Sequence, residues 1–148
     1  ALESMPDAVI VRVKKLQNLY LWVKFADERS RLLKRNGDSG VNEMLLWHGT
    51  GAVDPNVVYA GLEGAGFDVR MTREGNYYGR GAYFSERLAY SDNRYTTNHE
   101  DGTRRVLLAR VLCGIAKDFG HAKQRDLVRP PQRPGASDLY DSVVGGPH

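Results

Sequence analysis

The stretch from Gly61 to Gly81 limits most what this chain can become. It holds six glycines, at 61, 64, 66, 75, 79 and 81, and almost no apolar periodicity of either the helical or the strand kind. That is too long for a simple turn, and long structureless loops in compact proteins are generally functional or disordered. The segment also interrupts the regular βαβ alternation that a doubly wound sheet requires. Without that alternation, an α+β arrangement is favoured over a doubly wound one.

Those elements can be read from local chemistry. Val9, Val11 and Val13 alternate with Ile10 and Arg12, the period of a strand with one covered side. Asn18 is a plausible N-cap, and Leu19, Trp22, Ala26 and Leu33 recur at helical spacing, so a helix is expected from Leu19 to Arg35. Gly37-Asp38-Ser39-Gly40 forms a turn cluster leading into Met44-Leu45-Leu46-Trp47, an apolar run that predicts a buried strand ending at His48. Asp54-Pro55 and Gly61 bracket a short helix from Pro55 to Ala60. Ala82-Tyr83-Phe84 predicts a brief strand, Ser85 the cap of a helix reaching Asn93, and Val106 to Cys113 a central strand. Lys117 to Asp138, with five Lys/Arg, three Asp and Pro130, Pro131 and Pro134, is expected to be a solvated loop before a last element from Leu139 to Val144. No repeat occurs. The pattern predicts one α+β domain over residues 1–148, with short helices interspersed among strands.

Composition narrows the setting. A chain of 148 residues and 16.6 kDa, 41% hydrophobic and 26% charged, is in the single-domain range and able to bury a core. The longest apolar stretch, Val106 to Ala116, is broken by Arg110 and far short of the roughly 20 residues a bilayer needs, so no membrane association is expected. A balance of 21 Lys+Arg against 18 Asp+Glu gives +3, too small to announce a nucleic-acid binder, so that partner stays open but is not indicated. Cys113 is the single cysteine, Asn-x-Ser/Thr is absent, and the first residues lack a secretory signal pattern. An intracellular protein, cytoplasmic or nuclear, is expected, and the piece reads as an excised domain.

Several chemistries can be set aside. The histidines at 48, 99, 121 and 148 and the lone cysteine have no metal-ligand spacing, which predicts no metal. Gly79-Arg80-Gly81 runs into Ala-Tyr-Phe without the third glycine of a dinucleotide fingerprint, and no Walker lysine follows a glycine-rich loop. Serine nucleophile elbows are absent, and Cys113, inside an apolar run, suits a core position better than a nucleophile.

Two segments remain: His48-Gly49-Thr50 at a strand end, and Tyr78-Gly79-Arg80-Gly81-Ala82-Tyr83-Phe84, followed by Tyr90-Ser91 and Tyr95. A purely structural account is available, with His48 satisfied beside Trp47 and Tyr83-Phe84 packed as core. Together, however, they combine exposed backbone at a His-Gly, paired tyrosines and a small hydroxyl. That set suits a flat aromatic amide held between rings, and so points to nicotinamide.

At these residues the sequence resembles the catalytic domain of the poly(ADP-ribose) polymerase family, especially its macrodomain-associated mono-ADP-ribosylating members. The resemblance is carried, in order, by Leu16-Gln17-Asn18 with Leu21-Trp22, Asn42-Glu43, Leu46-Trp47-His48-Gly49-Thr50, Gly66-Phe67 and the Tyr-Gly-x-Gly-x-Tyr-Phe run. It continues through Ala89-Tyr90-Ser91, Ala109-Arg110-Val111-Leu112-x-Gly114, Pro130-Pro131 and Asp138-Leu139-Tyr140-Asp141-Ser142-Val143. It implies the ADP-ribosyltransferase α+β fold, with a mixed or antiparallel β core and flanking short helices. It also implies NAD as the ADP-ribose donor, nicotinamide-like inhibitors, and a protein acceptor. His48 and Tyr83 would be the catalytic pair. His48 would hydrogen-bond the adenosine ribose with Thr50 near the same sugar, and Gly49 would present its backbone to the nicotinamide amide. Ser91 would add a hydroxyl there, Tyr83 and Tyr95 would sandwich the ring, and Arg70 or Arg73 would face the diphosphate. Variable spacing before Tyr95, and ordinary solvation of the arginines, are the competing accounts.

By the same resemblance the sequence stops at Gly146-Pro147-His148, before the family's final strand and the glutamate that marks polymerising members. The expectation is a single catalytic domain lacking that strand, which is disordered, supplied elsewhere or cut from an incomplete chain. The resemblance implies mono-ADP-ribosylation of a protein side chain, the protein's own included. The alternatives are a polymerase, an inactive relative binding NAD, RNA or protein, and RNA binding through Lys123, Arg125, Arg129 and Arg133.

Overall fold

A computed structural model describes residues 5–51, 53–60, 66–72, 75–96 and 98–146, with residues 71 and 93–95 described by their backbone alone. In chain order the elements are α1 (Leu19–Asn36), β1 (Glu43–Gly49), α2 (Asn56–Tyr59), α3 (Leu88–Tyr95), β2 (Val106–Leu112), β3 (Ala116–Asp118) and β4 (Ser142–Val144). Short 3-10 turns lie at Asp38–Gly40 and Val69–Met71. β1 pairs with β2, and β3 runs parallel to β4 with Ala116 opposite Ser142 and Asp118 opposite Val144. Helices and small sheets are thus mixed along the chain, as an α+β fold requires. The residues divide into two compact units, 1–24 with 45–67 and 83–111, and 25–44 with 68–82 and 112–148.

In the first unit, Asn18 caps α1 as expected: its Oδ1 accepts from the Leu21 N–H at 3.2 Å, while its amide donates to the Tyr59 carbonyl at 2.9 Å. One side chain thereby starts α1 and holds the end of α2. Asp54 accepts from the Asn56 N–H at 2.9 Å, which starts α2 one residue after Pro55. Leu46 is the buried hydrophobic residue of β1, whereas Leu45 is 63% exposed, so this strand covers one face and continues past His48 to Gly49.

Four expectations change here. Val9–Val13 enters no ladder, and Val9, Val11 and Val13 are more than three-quarters exposed, because alternation supplies a face but not a partner. Residues 82–84 form no strand, the extended pairing being confined to an antiparallel bridge between Trp47 and Ser85. That bridge also delays the next helix. Ser85 spends its backbone on Trp47 and its Oγ on the Arg87 N–H at 3.0 Å, so α3 begins at Leu88 without Ser85 as its cap. β2 is where the apolar run placed it, but with Leu108 51% exposed it is not buried on both faces.

In the second unit, Leu32 and Val41 are buried at 2% and 3% exposure. Beside this small apolar core stands a charged one. Asp141 accepts from the Asn36 amide at 2.8 Å, the Ile115 N–H at 2.8 Å and Arg133 Nη2 at 3.2 Å, and it pairs with Arg35. Gly114, at φ +60°, passes against the Asp141 side chain where any Cβ would collide. The segment from Lys117 to Asp138 is fixed rather than simply solvated. Arg80 N–H donates to the Leu127 carbonyl at 2.9 Å, Gln124 N–H to the Tyr77 carbonyl at 2.6 Å, and the Tyr78 hydroxyl to the Gly120 carbonyl at 2.7 Å. Gly79 is obligatory at this approach, since at φ +75° a Cβ would run into the Leu127 carbonyl. The last element is shorter than Leu139–Val144 because Leu139 and Tyr140 pair with Gln132 and Pro131 instead.

Candidate functional site

The site is built on the end of β1. Trp47 exchanges both backbone hydrogen bonds with Ser85, at 2.7 and 2.9 Å, which lays residues 83–85 beside the strand. Two residues before the bridge, the Tyr83 carbonyl receives the His48 ring at 2.7 Å through Nδ1. A carbonyl can only accept, so Nδ1 carries a proton. Burial lowers the His48 pKa below its ordinary 6.5, and the bond to Tyr83 opposes that shift without cancelling it. The ring is therefore neutral near pH 7, with Nε2 left as a hydrogen-bond acceptor. Phe67 meets it edge-on at 4.8 Å between centroids and Phe84 lies tilted at 5.3 Å, with the two phenylalanines themselves edge-to-face at 4.8 Å. These rings shield part of the imidazole from solvent.

Ser91, on α3, is 3% exposed and its Oγ donates to the Trp47 carbonyl at 3.2 Å. Beyond Gly49, the Thr50 carbonyl accepts from the Val53 N–H at 3.0 Å, and Gly51 pairs in a parallel bridge with Thr96, just past the end of α3. The His48-Gly49-Thr50 turn is thus bracketed by one helix at two points, Ser91 before it and Thr96 after it.

His48, Gly49, Thr50, Tyr83 and Ser91 all belong to this first unit. Tyr95 closes α3, but its side chain lies outside the described residues, as does Arg73 altogether. Arg70 belongs to the second unit, 84% exposed, with Nε 2.9 Å and Nη2 2.6 Å from Asp68 Oδ2. The guanidinium in turn lowers the Asp68 pKa to about 2. Phe84 entered as a strand or core residue and in the Tyr-Gly-x-Gly-x-Tyr-Phe run, and Phe67 only as part of Gly66-Phe67. Their role as the His48 wall has no local signature, because it depends on three separated segments meeting. Among the described residues no group of His, Cys, Asp and Glu could hold a metal, and no helix is long and apolar enough to cross a membrane.

The family model for the poly(ADP-ribose) polymerase catalytic domain matches residues 3–133. The chain belongs to this family. As a poly(ADP-ribose) polymerase catalytic domain it has the ADP-ribosyltransferase fold, in agreement with the α+β arrangement above. It is 33% identical over 145 residues to the protein mono-ADP-ribosyltransferase PARP12 of Homo sapiens, a match covering 95% of this chain and 19% of that protein. A probable poly [ADP-ribose] polymerase of Dictyostelium discoideum is 34% identical over 138 residues, covering 87% of this chain and 40% of its own length. Protein mono-ADP-ribosyltransferase PARP11 of Homo sapiens is 29% identical over 164 residues, covering 96% of the chain and 46% of its own length. The poly(ADP-ribose) polymerase domain therefore spans about a fifth of the PARP12 relative.

Proposed function

We propose that this domain is an NAD-dependent mono-ADP-ribosyltransferase that releases nicotinamide and transfers ADP-ribose to a protein side chain. The observation that carries the reading is the neutral His48, its Nδ1 proton committed to Tyr83 and its Nε2 left to accept, on the strand that ends at Gly49. An acceptor nitrogen suits a ribose hydroxyl, which can donate to it. One residue on, the Gly49 N–H and C=O suit the two halves of a carboxamide, with the Ser91 hydroxyl as a third partner. In this reading Tyr83 stacks on the nicotinamide ring, and Thr50 lies near the adenosine ribose.

The chemistry is bond cleavage with a neutral leaving group. The nicotinamide–ribose C–N bond breaks with its electron pair going to the ring nitrogen, and positive charge builds on the sugar as in glycoside cleavage. A site accelerates this by holding both ends rigidly in the geometry of that charged state. The acceptor side chain then bonds to the sugar carbon and loses its proton.

Two mono-ADP-ribosyltransferase relatives favour single transfer over chain growth. The RNA-binding alternative is weakened because Arg133 is spent on Asp141 and Leu139, and Arg125 on the Gly75 carbonyl. Intact-protein mass spectrometry after incubation with NAD, beside His48→Ala, tests the reading. Single additions in the wild type that vanish in the variant are expected. A ladder of additions would mean a polymerase, and none at all would favour a binding module.

A further inference from the structure

α3 contains a buried carboxylate for which the donor site has no evident use. Asp92, the residue after Ser91, is 6% exposed. Aspartate is a poor helix-interior residue, and burying its charge is costly unless it is paired. Here Arg104 Nη1 lies 2.7 Å from Oδ2, and Thr96 Oγ1 lies 3.4 Å from Oδ1 while donating to the Asp92 carbonyl at 2.6 Å. The Arg104 contact lacks hydrogen-bond alignment, so Oδ2 is held by charge rather than by a directed bond. Arg104 stands two residues before β2, the strand that pairs with β1.

Successive helical residues point about 100° apart, so Ser91 and Asp92 leave α3 in different directions. Ser91 ties the helix to Trp47 in β1, Asp92 ties it to the approach of β2, and Thr96 ties its end to Gly51. Ser91 holds one face of the helix and the Thr96–Gly51 bridge holds its end. The Asp92 tie holds a second face and so opposes a rotation of the helix body that would carry the hydroxyl away from Gly49.

We propose that the Asp92–Arg104 ion pair is a positioning device that sets the rotation of α3, and so the placement of the Ser91 hydroxyl at the carboxamide end of the site. This rests on the donor-site reading above. It makes Asp92 and Arg104 positioning residues for one end of NAD only, a selectivity that a general stabilising pair would lack.

Calorimetric titration of the chain with two probes separates the possibilities: benzamide for the carboxamide end, ADP-ribose for the remainder. Asp92→Asn and Arg104→Gln are each expected to weaken benzamide about tenfold, the scale of one displaced hydrogen bond. ADP-ribose affinity should be unchanged, and KM for NAD should rise more than kcat falls. Arg104→Lys, which keeps the charge, should retain benzamide affinity and provides a test if Asp92→Asn does not fold. Equal weakening of both probes, or unchanged benzamide affinity in a folded Arg104→Gln variant, would overturn the proposal. A wild-type chain that binds neither probe would overturn the donor-site reading and this inference with it, and is told apart because it appears before any substitution.

Discussion

The His48 ring donates to the main chain of Tyr83, not to its side chain, across 2.7 Å. One backbone oxygen thereby chooses the tautomer of the histidine and leaves Nε2 as an acceptor. The two residues assigned to catalysis from the sequence are mechanically linked, yet the link survives loss of the tyrosine ring. In a Tyr83→Ala variant, the His48 imidazole should keep its protonated Nδ1 by NMR while benzamide affinity falls at least tenfold, a loss on the scale of one aromatic stacking contact. Loss of the Nδ1 proton signal in that variant would mean that the ring, rather than the carbonyl, sets the histidine.

The depressed pKa of His48 gives stability a definite pH dependence. Above the ordinary value of 6.5 both folded and unfolded chains hold a neutral ring, and the contribution is complete. As pH falls below it the unfolded chain takes up the proton first, so this contribution is lost progressively down to the folded-state pKa. Urea midpoints measured from pH 7.5 to 5 should decline, and the decline should be shallower in His48→Gln. NAD affinity should fall over the lower part of the same window, since protonation converts Nε2 from acceptor to donor.

Arg70 is neutralised by its own neighbour Asp68, whose pKa is lowered to about 2, so acidification above that value leaves the pair intact. Because Arg70 is 84% exposed, Asp68→Asn should barely move the chemical-denaturation midpoint, with any shift screened as ionic strength rises. A large fall in midpoint at every salt concentration would mean that the pair supports more than its own loop.

Asp141 holds two arginines and a backbone N–H in the second unit. Replacing it with Ala leaves Arg35 and Arg133 without their carboxylate and the Ile115 N–H without an acceptor, a loss on the order of 3–5 kcal/mol. A chemical denaturation curve should show it as a large fall in midpoint, whereas Glu28→Ala, at an exposed helix-surface pair with Arg31, should shift it by less than about 1 kcal/mol.

Local rules succeeded where the cause was local. Asn18 starts α1, Asp54-Pro55 starts α2, and the apolar run from Val106 forms β2, because caps and short-range periodicity act within a few residues. They failed at Val9–Val13, at residues 82–84 and at Ser85, where the outcome depends on a partner elsewhere in the chain. Trp47 illustrates why. Its backbone takes the bonds of Ser85, so the residue that looked like a helix cap is used as a bridge.

The sequence by itself determined the family, through ordered motifs spread along nearly the whole chain, and with it the candidate residues His48, Gly49, Thr50, Tyr83 and Ser91. Residue identity is enough for that, because a motif names the groups a reaction needs. Only the tertiary structure decided their states. His48 is neutral because partial burial beside Phe67 and Phe84 lowers its pKa more than the Tyr83 bond raises it, that bond fixing only which nitrogen holds the proton, and Ser91 is placed because α3 is tied to Trp47, Gly51 and Arg104. Protonation and orientation are set by dielectric and by neighbours through space, and neither is written in sequence spacing.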